Sequence, residues 1–173
     1  MDFFNTWLHL IAATVWVGPQ VFMFVASIPA LRLIDDRPTR VRVLRLMARR
    51  FGWLALAALA VLVITGVENL RNRIDDGFDA FNSDFRYIWI FWVKMGLLGL
   101  AVIATLLHSF VIGPRQLQLM EAAGSAQASG DGAEATRLRR LSIVLSSLIL
   151  LLSLAILLVA AQLSDVEYSF ERV

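Results

Sequence analysis

Four ionisable side chains of this 173-residue chain fall inside long apolar runs: His9, Glu68, Lys94 and His108. Charge is costly in such surroundings, so each marks a place where binding, pairing or proton transfer is to be sought. Imidazole ligates transition metals and haem iron and relays protons near neutral pH. Lys94 is the only lysine among 16 lysine and arginine residues, and lysine, unlike arginine, can lose its proton when buried. Met23 and Met95 add thioether sulfurs, which suit copper but also fill gaps in cores. Glu68 is a candidate ion-pair partner for Lys94, and Trp16, Gln20 and Asn69 complete the polar set. The chain has no cysteine, which excludes disulfides, thiolate zinc sites and a cysteine nucleophile. No phosphate-binding loop, helical zinc motif or serine-centred triad is present, so hydrolytic and phosphoryl-transfer chemistry are not indicated.

The elements that must position these groups follow from composition. Hydrophobic residues make up 58% and charged residues 17%, against roughly 45–50% and about 25% in soluble domains. A soluble chain this short cannot hide so much apolar surface, so the solvent is lipid. Four runs, about 6–31, 51–70, 87–112 and 141–163, reach the roughly 20 residues that a helix needs to cross a bilayer. The expected fold is an all-α integral membrane bundle of four transmembrane helices, forming one domain over 1–173. The first run has only Asp2 before it and lacks the basic region of a signal peptide, so it reads as a mature span.

Arginines set the orientation. Seven lie between spans one and two, from Arg32 to Arg50, and Arg115, Arg137, Arg139 and Arg140 lie between spans three and four. Basic loops stay cytoplasmic, which places both termini outside the cytoplasm of a bacterial inner membrane. The formal charge of +2 suggests no nucleic-acid partner; the lipid bilayer is the implied one. Pro38 suits the first turn of a helix running through the arginines into span two; a solvated basic turn is the alternative reading. Gly124–Ala135 reads as a linker, and 71–86 as an outer loop.

A rise of about 1.5 Å per residue puts His9 roughly 6 Å, Glu68 about 3 Å and Lys94 about 10 Å below the outer face, in one outer cluster with Asn5, Thr6, Asn69 and Met95. His108 lies near the inner face at about the depth of Met23, so the histidines differ by on the order of 25 Å. They cannot share one metal. His9, Ala13, Trp16, Gln20, Met23 and Ser27 form one helical stripe; Lys94, Leu98, Ala101, Thr105 and His108 form another; Ser142, Ser146, Ser153 and Ala160 form a third. Small and polar stripes face the bundle interior in membranes. Other readings stand beside these: His9 bonded to a carbonyl or headgroup, Lys94 snorkelling outward, His108 at a helix end. Trp7, Trp53, Trp89 and Trp92 suit an interfacial belt, Trp16 being the exception.

The run LHLIAATVWVGPQVF is similar to the histidine-then-tryptophan-glycine opening of the copper-resistance D (CopD) family. RRFGWLALAALAVLVITGV resembles that family's second element, with Arg50, Phe51, Thr65 and Gly66. WVKMGLLGLAVIATLLHSFVIGPR resembles the third, with Lys94, His108 and Pro114. The resemblance covers roughly 5–115, and the fourth span matches only in being apolar. Pro19 stands where a second glycine often follows, and four spans stand where longer members have eight. The resemblance implies an inner-membrane protein of copper handling, beside a periplasmic copper-binding protein. The same histidine, tryptophan and lysine features also resemble the HemJ family of four-helix, haem-binding protoporphyrinogen oxidases.

Three functions stay open. In a copper protein of transport or accessory type, His9 and Met95 receive metal near the outer face and Met23 and His108 hold it near the inner face. In a b-type haem protein, a HemJ-like oxidoreductase or electron carrier, cofactor contacts come from His9, His108 or Lys94. The third is a structural subunit of a larger membrane complex, and a homodimer is compatible with any of them. Catalysis is expected only in the haem case.

Overall fold

The structure is a computed structural model and describes residues 3–75, 86–122 and 132–164. Its elements are α1 (Phe3–Phe22), a π-turn (Met23–Ser27), α2 (Ile28–Leu31), α3 (Arg37–Asp75), α4 (Arg86–Leu107), a second π-turn (His108–Ile112), α5 (Gly113–Ala122) and α6 (Gly132–Ser164). No strand occurs among the described residues. Four rods are long and apolar enough to cross a membrane: Phe3–Leu31, Arg37–Asn72, Arg86–Met120 and Thr136–Leu163. Each contains one expected span and extends past it.

The extensions have local causes. Asp36 caps α3: Thr39 donates its backbone N–H to Asp36 Oδ2 at 2.9 Å, and Arg40 donates its backbone N–H to the Asp36 carbonyl at 3.0 Å, the arrangement that satisfies orphan donors at a helix start. The basic segment is therefore helix and not a turn. Hydrogen bonds from the Thr39 side chain and backbone hold the Asp36 carboxyl below its ordinary value. A depressed carboxylate contributes stability above its unfolded pKa and loses that contribution as pH falls through the folded one. Acidification should accordingly lower the protection of the Thr39 amide relative to its intrinsic exchange rate at the same pH, with no such loss of protection in Asp36→Ala. At the other connection, Gly132–Ala135 already belong to α6, so the linker is shorter than expected, and 124–131 lie outside the described residues. Of the outer loop, 71–75 are helical and 76–85 lie outside the described residues.

Both π-turns stand just before a proline. Pro29 and Pro114 lack an N–H, and their rings crowd the carbonyl four residues back. The ladder widens by one residue in response: Ile28 donates its N–H to the Met23 carbonyl and Gly113 donates to the His108 carbonyl. A Cβ on Gly113 would sit 2.9 Å from that His108 oxygen, a backbone atom with little freedom to yield. Gly113→Ala should lower stability in detergent by about 1–3 kcal/mol, read as a drop in the thermal midpoint. An unchanged midpoint would show that the turn relaxes at no cost.

Helix α1 packs chiefly on α3, and α4 on α6; α1 also meets α6, and α5 meets α3. That is the pattern of two hairpins arranged about an axis along the bundle. The first rod of each hairpin repeats the other at one constant offset of 85 residues (108 less 23, 94 less 9, 114 less 29). The offset pairs His9 with Lys94, Trp16 with Ala101, Gln20 with Thr105, Met23 with His108 and Pro29 with Pro114. Parallel repeats of this kind place equivalent residues at equal depth.

The core joins Ala12, Trp16 and Val17 of α1, Ala58, Leu59 and Leu62 of α3, Ala101 of α4 and Ile156 of α6. Trp16 is 3% exposed and Ala101 0%, and both belong to this central cluster. Trp7, Trp53, Trp89 and Trp92 are exposed, along with Ile64, Leu151 and Leu158, as surfaces that face lipid must be.

Candidate functional site

The rods bring polar residues together at two levels. Toward the start of α1, His9 Nδ1 lies 2.7 Å from Thr65 Oγ1. Thr65 is 2% exposed, and its hydroxyl also lies 2.7 Å from the Val61 carbonyl of its own helix. A hydroxyl has one proton. With that proton donated to Val61, the contact to His9 is made by Nδ1–H, which leaves the Nε2 lone pair free. Hydrogen-bond accounting thus assigns the tautomer. The ring rests against Gly66, where a Cβ would stand 3.6 Å from its Cε1. Asn5 Nδ2 donates to the Thr65 carbonyl at 3.1 Å and to Asn69 Oδ1 at 2.7 Å, tying α1 to α3 one turn above the ring.

Lys94 is half-buried and, at the position equivalent to His9 in the second hairpin, lies at the same depth. Met95, beside it on α4, is half-buried. Glu68 belongs to the same depth but is exposed, and no ion pair joins it to Lys94 among the described residues. Thr65 and Gly66 are the members of this level that no charge or ligand chemistry marked in advance. Their adjacency in the threonine-glycine pair was the only signal.

Toward the arginine-rich end, Gln20 Nε2 donates to the Trp16 carbonyl at 2.9 Å, and Ser153, 0% exposed, donates to the Ile149 carbonyl at 2.7 Å with Gln20 Oε1 at 3.3 Å. Two turns further along α6, Ser146 Oγ lies 3.4 Å from His108 Nε2. Met23 is half-buried and opens its π-turn as His108 opens the equivalent one.

Among the described residues no three histidine, cysteine or carboxylate side chains cluster as a metal site. A soft ion needs fewer such ligands when thioethers take part, and an oriented imidazole with Nε2 free is a suitable first donor. A haem held by both histidines does not fit. His9 is level with Lys94, and the 14 residues from Lys94 to His108 rise about 21 Å, with Trp16, Leu59, Leu62, Ala101 and Ile156 packed between.

No curated protein and no solved structure matches the chain. Among protein families, copper resistance protein D matches residues 45–163, from within α3 through nearly all of α6. The match includes the fourth span, whose likeness in sequence was apolarity alone, and it carries Thr65, Gly66, Lys94 and His108. It covers more than half of the sequence, and the protein is a multi-pass membrane member of the copper resistance protein D (CopD) family.

Proposed function

We propose that the protein takes up cuprous ion at the His9 level and passes it along the bundle to Met23 and His108, as a transport component of copper resistance. The observation that carries this reading is the His9 ring, held through Nδ1 by a buried threonine with Nε2 uncommitted. Met95 is assigned as the soft partner at that level. Lys94, level with His9, opposes a bound cation when protonated and offers a further nitrogen donor when neutral. At the other end, His108 and Met23 supply one imidazole and one thioether from diagonal rods, so the two levels match in donor type.

A competition titration of cuprous ion against a chromophoric chelator, on detergent-purified protein, tests the reading. Binding by the native chain and its loss in His9→Ala support it; equal binding by both overturns it. Met95→Leu should weaken binding less, by about tenfold. The excess of arginine at one end further assigns that end to the cytoplasm of a bacterial inner membrane. A periplasm-dependent reporter fused at the C-terminus should then be active and one inserted at 124–131 inactive; the reverse pattern would invert the chain.

A further inference from the structure

The arginine-rich end of the bundle carries an open concavity of about 560 Å³ on α6, lined among the described residues by Ala133, Thr136, Arg137, Arg140 and Leu141. These positions recur with the helical period and so share one side of the rod. Ser142, Ile149, Ser153 and Ile156 are buried on the opposite side, toward the other helices. Below the concavity the same side continues through Val144, Leu148 and Leu151, all exposed. It is therefore the lipid-facing side of α6, with two cations at its head.

The level of those cations follows from the rise of the helix. Arg140 and Arg137 stand about 1.5 and 6 Å before Leu141, where the apolar run begins. The headgroup layer of a bilayer is roughly 5–7 Å deep on each side, so both guanidinium groups belong to the phosphate level. Both are exposed, and no carboxylate pairs with either among the described residues. Glu134, the acidic residue in the first turn of α6, does not line the concavity; Arg115 of α5 engages it at 3.0 Å, which neutralises its charge. The site thus joins a cationic head to an apolar stripe along one helix face.

We propose that this concavity holds one phospholipid of net negative charge, its phosphate between Arg137 and Arg140 and its acyl chains along Val144, Leu148 and Leu151. Residues three apart on a helix are neighbours, and guanidinium groups match phosphate oxygens in geometry and charge. A free phosphate ion would meet the same charges but leave the apolar stripe unused. A zwitterionic lipid would bring its own ammonium against the arginines. An anionic lipid satisfies both parts of the site. None of its residues is a copper donor, so this inference and the copper reading stand or fall separately.

The test titrates the detergent-purified full chain with dioleoyl phosphatidylglycerol or dioleoyl phosphatidylcholine and counts bound lipid by native mass spectrometry. One phosphatidylglycerol should bind with a preference of about 30-fold over phosphatidylcholine. Arg137→Gln with Arg140→Gln should erase that preference. Arg49→Gln with Arg50→Gln makes the same charge change on exposed positions of α3 just before its apolar run, and should keep it. Phosphatidylglycerol at about 100 times its dissociation constant should also raise the native thermal midpoint by about 5 °C, with no shift in the Arg137 and Arg140 double variant. Equal losses in the two double variants would show general attraction to a basic surface and overturn the proposal. Equal binding of phosphatidylcholine would overturn it too, as would displacement of the lipid by inorganic phosphate at matched concentration, which would mark an ion site.

Discussion

His9→Ala should lose cuprous-ion affinity by at least about 30-fold, while Thr65→Val should lose about tenfold with the imidazole still present. The second figure is the more informative. Valine keeps the size and branching of threonine but removes the oxygen that fixes the Nδ1 proton, so the ring can rotate or adopt the other tautomer. Thr65→Ser, which restores the oxygen, should regain most of the affinity. His9→Ala and Thr65→Val should keep a near-native thermal midpoint, because the His9 ring is half-buried and valine keeps the volume of the buried threonine. Equal affinities for Thr65→Val and the native chain would show that the hydroxyl does not orient the ligand, and the assignment of Nε2 as donor would fail with it.

The largest effect on stability is expected at the other end of that core. Trp16→Ala removes an indole buried in a core cluster that draws on all four rods, and truncation of a buried tryptophan costs about 3–5 kcal/mol. In lipid the loss is mainly of packing contacts, since apolar tails are no worse a solvent for the exposed surface than the protein interior. Ala101, buried in the same cluster, is already as small as a side chain with a Cβ can be and offers nothing to fill the space. Ala101→Leu in the native background should be comparably damaging through overpacking, and the double variant Trp16→Ala with Ala101→Leu should recover part of the loss. Denaturation monitored in detergent reads all three. Additive losses in the double variant would show that the two positions do not share one space.

The two hairpins give these predictions a common frame. Position by position, the first rod of one hairpin carries the complement of the other: a large residue against a small one at the core, an imidazole against an amine above it, a thioether against an imidazole below it. The two hairpins thus supply such complementary pairs within one chain. Both prolines, with the π-turns they enforce, remain at equivalent places.

How much of this the residues announced on their own depends on the distance over which each feature is decided. Lipid as solvent, four helical rods and the inward stripes of α1, α4 and α6 follow from composition, run length and a period of 3.6 residues, because a bilayer leaves the backbone no alternative to helix. Trp16, Ala101, Thr105 and Ser153 are buried, and Gln20 half-buried, where that phase places them. Depth was also legible, since rise per residue is constant. Rotation about the axis of α3 was not. Glu68 shares the depth of Lys94 yet is exposed, while Thr65, a turn away, meets His9. The difference lies in how α3 rolls against α1, which depends on packing between residues some 56 positions apart. The π-turns belong to the same class: the prolines were visible, but widening the ladder rather than breaking the helix requires a surrounding bundle to hold both ends in line. Local chemistry is written along the chain; which side chains meet is settled only when separate rods pack.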